Sequence, residues 1–130
     1  MWGVLMGNDA DQVSSIMPGA LLGVLGGGQL GAMFAMAARS MGYRVAVITD
    51  TENCPAVRHA DRIHVGSYTD VSFLAQAAKD LSVVTFEFEN VPAAAGEALK
   101  AEVLVRPRPE VLFTTQNRER EKAFLVNHGI

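Results

Sequence analysis

A β-rich run, Ala20–Leu25, breaks into Gly26-Gly27-Gly28-Gln29-Leu30-Gly31, and no other segment restricts the fold as much. A helix-period pattern follows it. A strand that turns on glycines into a helix N-terminus opens a parallel α/β sheet. Gly26, Gly28 and Gly31 match Gly-x-Gly-x-x-Gly, a spacing that turns the backbone tightly and leaves N–H groups free to face an anion. The stretch Pro18 to Ala38 has Gln29 as its only strongly polar residue, and its 21 residues are long enough to cross a bilayer. Its glycines would break a single helix at its centre, so strand, turn and helix are expected instead.

The rest of the chain alternates strand and helix patterns. Leu30, Met33, Phe34, Ala37 and Met41 recur on one helical face, and Met33, Met36 and Met41 are expected in the core. Gly42 ends that helix. Arg44–Ile48 and Arg62–Val65 read as the second and third strands. Thr69 or Asp70 caps a helix whose Val71, Leu74, Ala75 and Ala78 face inward, and Ser82–Phe88 is the fourth strand. Pro92 sits at a helix start. Val103–Val105 reads as a fifth strand, followed by a stiff exit through Arg106-Pro107-Arg108-Pro109. Glu110–Asn127 is helical with a break near Thr114 to Asn117. The expected fold is α/β and Rossmann-like, a mostly parallel sheet with flanking helices. Residues 1–19 read as a loose leader, 20–109 as the domain, and 110–130 as the helical start of a link to a further region.

Charge and cysteine content exclude several functions. A net charge of −3 over 130 residues lacks the basic face that non-specific nucleic-acid binding needs. Cys54 is the single cysteine, so no internal disulfide forms. His59, His64 and His128 lack metal-ligand spacing, and no metal site is expected within this chain. Residues 1–19 carry Asp9 and Asp11 and no Lys or Arg, unlike a secretory signal, so the expected compartment is the cytoplasm, away from membranes.

The fourth strand narrows the chemistry. Alternation puts Thr85, Glu87 and Glu89 on one face, with the acids at the C-terminal end where parallel sheets bind ligands. If the fourth strand lies beside the first, Gln29 and Glu87 converge. Two carboxylates repel a pyrophosphate and suit ribose hydroxyls or an exocyclic amine. Asp50, just past the second strand, falls where an NAD site places its ribose-binding acid, so an NAD(P)-binding oxidoreductase domain is the alternative. A truncated, non-catalytic binding or dimerisation module is another.

In order along residues 20 to 130, Gly-Gly-Gly-Gln-Leu-Gly, Asn53-Cys54-Pro55-Ala56, Tyr68-Thr69-Asp70, Thr85-Phe86-Glu87-Phe88-Glu89-Asn90-Val91-Pro92, Arg106-Pro107-Arg108-Pro109, and Gln116-Asn117-Arg118 with Glu121-Lys122 closely resemble the N5-carboxyaminoimidazole ribonucleotide synthetases. These are ATP-grasp ligases of purine biosynthesis. The resemblance is confined to their N-terminal domain, the pre-ATP-grasp domain. It implies activation of bicarbonate by ATP and Mg²⁺ as carboxyphosphate, and carboxyl transfer to the amine of 5-aminoimidazole ribonucleotide. By comparison with the related glycinamide ribonucleotide formyltransferase, Gln29, Leu30 and Glu87 hold the ribonucleotide, with Glu89 as a weaker candidate. Arg118 matches a position that contacts ATP. No catalytic residue or metal ligand is implied within this chain, and a homodimer is one assembly the resemblance allows. Ala32 stands where the family usually has Arg, and Thr49-Asp50 where Asp-Pro is usual. The sequence stops before the ATP-grasp region, so these 130 residues alone are expected to be inactive.

Overall fold

Strand β1 (Leu21–Leu25) carries apolar side chains on both faces, as a strand covered on two sides must. The computed structural model describes residues 14–87 and 91–130. Strand β2 (Arg44–Thr49) pairs parallel to one edge of β1, with Leu21 opposite Arg44. Strand β4 (Val83–Phe86) pairs parallel to the other edge, with Leu25 opposite Phe86, and β3 (Arg62–Val65) flanks β2. The order β3-β2-β1-β4 makes the connection reverse direction beside β1. That reversal opens a crevice at the C-terminal ends of β1, β2 and β4.

Two helical layers cover the sheet. On one face Val24, Val45 and Val47 pack against Ala32, Ala35 and Ala38 of α1 (Gln29–Ser40) and Ala56 of the 3₁₀ helix Pro55–His59. On the other face, Leu25, Ile48 and Val84 pack on α2 (Val71–Ala77), α3 (Ala93–Lys100) and α4 (Pro109–Thr115). Helix α5 (Arg118–Asn127) has no buried residue. Local chemistry sets the helix ends. Asp70 accepts a 3.0 Å bond from the Phe73 N–H, and Asn117 accepts from the N–H groups of Glu119 and Arg120, ending the break between α4 and α5. Gly42 follows α1 at φ +88°, where a side chain would be strained.

Helix α1 turns a different face inward from the one its large side chains suggest. Gly31, Ala32, Ala35 and Ala38 are buried, whereas Leu30, Met33, Met36 and Met41 are 61%, 54%, 47% and 61% exposed. Close approach is the reason. A Cβ on Gly31 would lie 2.8 Å from the Gly26 carbonyl oxygen, so only the face of least volume fits against the sheet. The methionines expected in the core are therefore on the surface. In α2, Leu74 and Ala78 face inward as expected, Ala77 joins them, and Val71 is exposed on the first turn. The fifth strand shrinks to one parallel bridge between Val84 and Val105, because Pro107 and Pro109 bring no N–H to extend a ladder. Strand β4 is shorter than Ser82–Phe88, and Phe88 lies outside the described residues. Among the described residues no helix is long and apolar enough to cross a membrane.

Urea unfolding will separate the two faces of α1. Gly31→Ala is expected to lower stability by about 1–3 kcal/mol through overpacking, and Met33→Ala by less than about 0.5 kcal/mol.

Candidate switch-point site

The pairing of Leu25 with Phe86 brings the residue after β4 beside the glycine loop, and the Glu87 N–H donates to the Leu25 carbonyl at 3.0 Å. The Glu87 side chain then turns back over the loop. Its Oε2 accepts a hydrogen bond from the Gly28 N–H at 2.9 Å. A Cβ at Gly28 would stand 2.3 Å from Glu87 Oε1, so any side chain there would push the carboxylate off this position. Gly27 is closed in from the other side, where a Cβ would stand 2.2 Å from Cys54 Sγ. The Gly26 N–H donates to the Ile48 carbonyl at 2.9 Å and so belongs to the sheet.

Around this loop lies a cleft of about 340 Å³ lined by Gly27, Gly28, Thr49, Asp50, Thr51, Asn53, Cys54, Pro55, Tyr68 and Glu87. Thr49 forms its buried floor at 2% exposure. Its Oγ1 accepts from the Thr51 N–H at 3.2 Å and lies 3.8 Å from Cys54 Sγ, which donates to it. Its carbonyl accepts from the Gly66 N–H and so ties down the turn that carries Tyr68. The Tyr68 phenol is half-buried and bonded to the Thr49 side chain and the Asp50 backbone. Burial, followed by the negative charges of Asp50 and Glu87, raises its pKa, so the hydroxyl remains protonated at neutral pH. The cleft thus offers two carboxylates as acceptors beside neutral hydroxyls, and among the described residues no Lys or Arg lines it. A larger cleft of about 690 Å³ runs along residues 100–110 and shares no residue with this one.

The glycines Gly26, Gly27, Gly28 and Gly31 and Glu87 come together here. Glu87 meets the loop through Gly28, one residue before Gln29. Gln29 and Leu30 are exposed on the first turn of α1 and do not line the cleft. Glu89 lies outside the described residues. Arg118 is 80% exposed at the start of α5, where it pairs with Glu121 at 3.3 Å. Thr49, Tyr68 and Cys54 were not among the residues the sequence marks as ligand-binding. Their signal was present in Thr49-Asp50 at a strand end and in the Tyr68-Thr69-Asp70 and Asn53-Cys54-Pro55 motifs. Ala32 is buried against the sheet at 6% exposure and borders a neighbouring cleft with Cys54 and Arg58. Among the described residues no three His, Cys, Asp or Glu side chains are grouped to hold a metal ion.

Thr49→Val removes the hydroxyl that bonds Thr51, Cys54 and Tyr68, and is expected to cost about 1–3 kcal/mol in urea unfolding. In a spectrophotometric titration, one phenol is expected to ionise above the ordinary pKa of about 10. Tyr68→Phe should abolish that late transition.

The ribonucleotide synthetase pre-ATP-grasp domain matches residues 20–116. The N5-carboxyaminoimidazole ribonucleotide synthase of Brucella melitensis biotype 1 is 44% identical over 117 residues, which cover 90% of this chain and 32% of that protein. A crystal structure of an N5-carboxyaminoimidazole ribonucleotide synthetase with ADP superposes with a TM-score of 0.84 at 39% identity, covering 88% of this chain and 30% of the other. The Aspergillus clavatus N5-carboxyaminoimidazole synthase, in complex with ADP and 5-aminoimidazole ribonucleotide, gives 0.77 at 35% identity, covering 85% and 30%. The chain therefore spans about a third of the length of the relatives it matches.

Proposed function

The chain belongs to the ribonucleotide synthetase pre-ATP-grasp family, and from that premise we propose that it serves as the N-terminal part of a ligase carboxylating 5-aminoimidazole ribonucleotide with bicarbonate and ATP in purine biosynthesis. The observation that carries this reading is Glu87, bonded to the glycine loop at the head of a cleft lined by hydroxyls and carboxylates. Such a cleft accepts hydrogen bonds from ribose hydroxyls and from an amine. Residues 20–109 then form the ribonucleotide-binding domain, and 110–130 begin the link to an ATP-grasp region, with residues 1–19 as a leader.

In this role Glu87 orients the ribose and Tyr68 donates to an acceptor on the ligand. Holding the amine in place for attack on an activated carboxyl converts a bimolecular encounter into a positioned one. Gln29 and Leu30, on the exposed first turn of α1, contact the ligand from the rim, and Glu89 is a further candidate contact. Arg118, exposed at the start of α5, contacts ATP. ATP and its Mg²⁺ supply the carboxyphosphate chemistry, and the described residues of this chain contain no grouping suited to the metal. Asp50 favours a dinucleotide-binding oxidoreductase, yet the Gly28 N–H that a pyrophosphate would use is bonded to a carboxylate.

A chimera joining residues 1–130 to the ATP-grasp region of the Brucella melitensis relative tests the reading. It is expected to release ADP only with both 5-aminoimidazole ribonucleotide and bicarbonate. Glu87→Gln should raise KM for the ribonucleotide about tenfold or more, the worth of a hydrogen bond to a charged group, while KM for ATP stays unchanged. Turnover indifferent to the ribonucleotide would reject the reading.

A further inference from the structure

Helix α1 is apolar on the side it turns outward as well as on the side it turns to the sheet. Between Gln29 and Arg39 it carries no polar side chain. Opposite the buried Gly31, Ala32, Ala35 and Ala38 lie exposed Met33, Met36 and Ala37, with exposed Met41 just past the helix end. Met33, Ala37 and Met41 follow at four-residue spacing and so form one ridge. A surface helix of a globular domain normally meets water with charged and polar residues, whereas one that is apolar all round is covered.

The chain itself leads to this ridge. Ahead of β1, residues 16–19 lie against the turn that ends α1. The Gly19 N–H donates to the Gly42 carbonyl at 2.8 Å, the Tyr43 hydroxyl to the Ile16 carbonyl at 2.9 Å, and Arg44 Nε to the Gly19 carbonyl at 3.1 Å. The residues before them therefore start next to the C-terminal end of α1. Residues 1–13, outside the described residues, include Trp2, Val4, Leu5 and Met6, and their only charged side chains are Asp9 and Asp11. The 12 residues of α1 span about 18 Å. A 13-residue segment reaches up to about 45 Å when extended, enough to follow the whole ridge. Helix α1 holds Arg39 and no acid, so the two aspartates meet no like charge on it.

We propose that residues 1–13 dock along the outer face of α1, with Trp2 and its apolar neighbours on Met33, Met36 and Met41. Tethering favours this occupant over a second copy of the chain. A segment joined to the end of the ridge by a short link is present there at an effective concentration in about the millimolar range. Methionine suits the contact, because its unbranched, polarizable side chain adapts to the shape of an aromatic ring.

Trp2 is the only tryptophan of the chain, so its fluorescence reports this segment alone. In the full 130-residue chain at low micromolar concentration, its emission is expected to be blue-shifted from that in urea and its quenching by acrylamide several-fold weaker. Met33→Glu combined with Met36→Glu puts two charges on the ridge without touching the core. It is expected to return both readings to their values in urea while far-ultraviolet circular dichroism stays native. Val71→Glu, at an exposed apolar position of α2 on the other side of the sheet, is expected to change neither. A Trp2 as accessible in the folded wild type as in urea overturns the proposal. So does a shielded Trp2 that the folded double variant leaves unchanged, or that Val71→Glu exposes equally. Shielding that is lost on dilution, in step with a dimer-to-monomer change in sedimentation velocity, gives the ridge to a second copy and overturns it as well.

Discussion

The hydrogen bond from the Gly28 N–H to the Glu87 carboxylate is the constraint on which the site depends. It links the turn after β1 to the end of β4, two segments 59 residues apart in the chain. Parallel pairing makes the bond possible, because Leu25 opposite Phe86 sets the next residue of each strand side by side. The first four N–H groups of a helix lack partners within it, and a negative charge near that end is favoured by the helix dipole. Glu87 supplies that charge from outside the helix. The chain has thus used its own acid where a nucleotide-binding loop would leave a vacancy for its ligand.

The same turn dictates how α1 sits. Gly31 brings the first turn of the helix against the Gly26 carbonyl, and that contact leaves space only for Ala32, Ala35 and Ala38 beneath the rest of the helix. A helix held this close cannot also place methionines under itself. Met33, Met36 and Met41 stay outside, although their hydrophobicity and spacing suit a core face. The larger core volume is found on the opposite face of the sheet, where Leu74, Leu99 and Val91 are fully buried. The two layers therefore differ in character. One is a tight alanine contact that fixes the loop, and the other is a thicker aliphatic layer.

That asymmetry explains what the sequence made legible. The first four strands, a cap at Thr69 or Asp70 and the interruption before α5 followed from short-range signals, namely β-branched runs, capping side chains and turn residues, whereas β4 beside β1 was a condition drawn from the switch-point topology of parallel sheets. The inward face of α1 did not, because side-chain hydrophobicity says nothing about how near two backbones come. A Gly-x-x-x-Ala spacing, Gly31 with Ala35, was the available clue. Val105 likewise had the composition of a strand but was stopped by prolines on its C-terminal side. In the site, Glu87 could be singled out because an acid at a strand end is conspicuous. Thr49 and Tyr68 could not, since threonine at the end of a buried strand and tyrosine in a turn are ordinary, and their meeting depends on the bond from Gly66 to Thr49.

Charge finally bears on how a domain of this kind takes part in a larger site. Two unit charges 4 Å apart interact by about 4 kcal/mol at an effective dielectric of about 20. A phosphate placed among Glu87 and Asp50 would meet repulsion of that order, with no cation among the described residues of the cleft lining to offset it. A phosphorylated ligand is then stable here only if its anionic end reaches a region where cations are supplied by other elements. The acid-lined cleft and such a cationic region would act on opposite ends of one molecule.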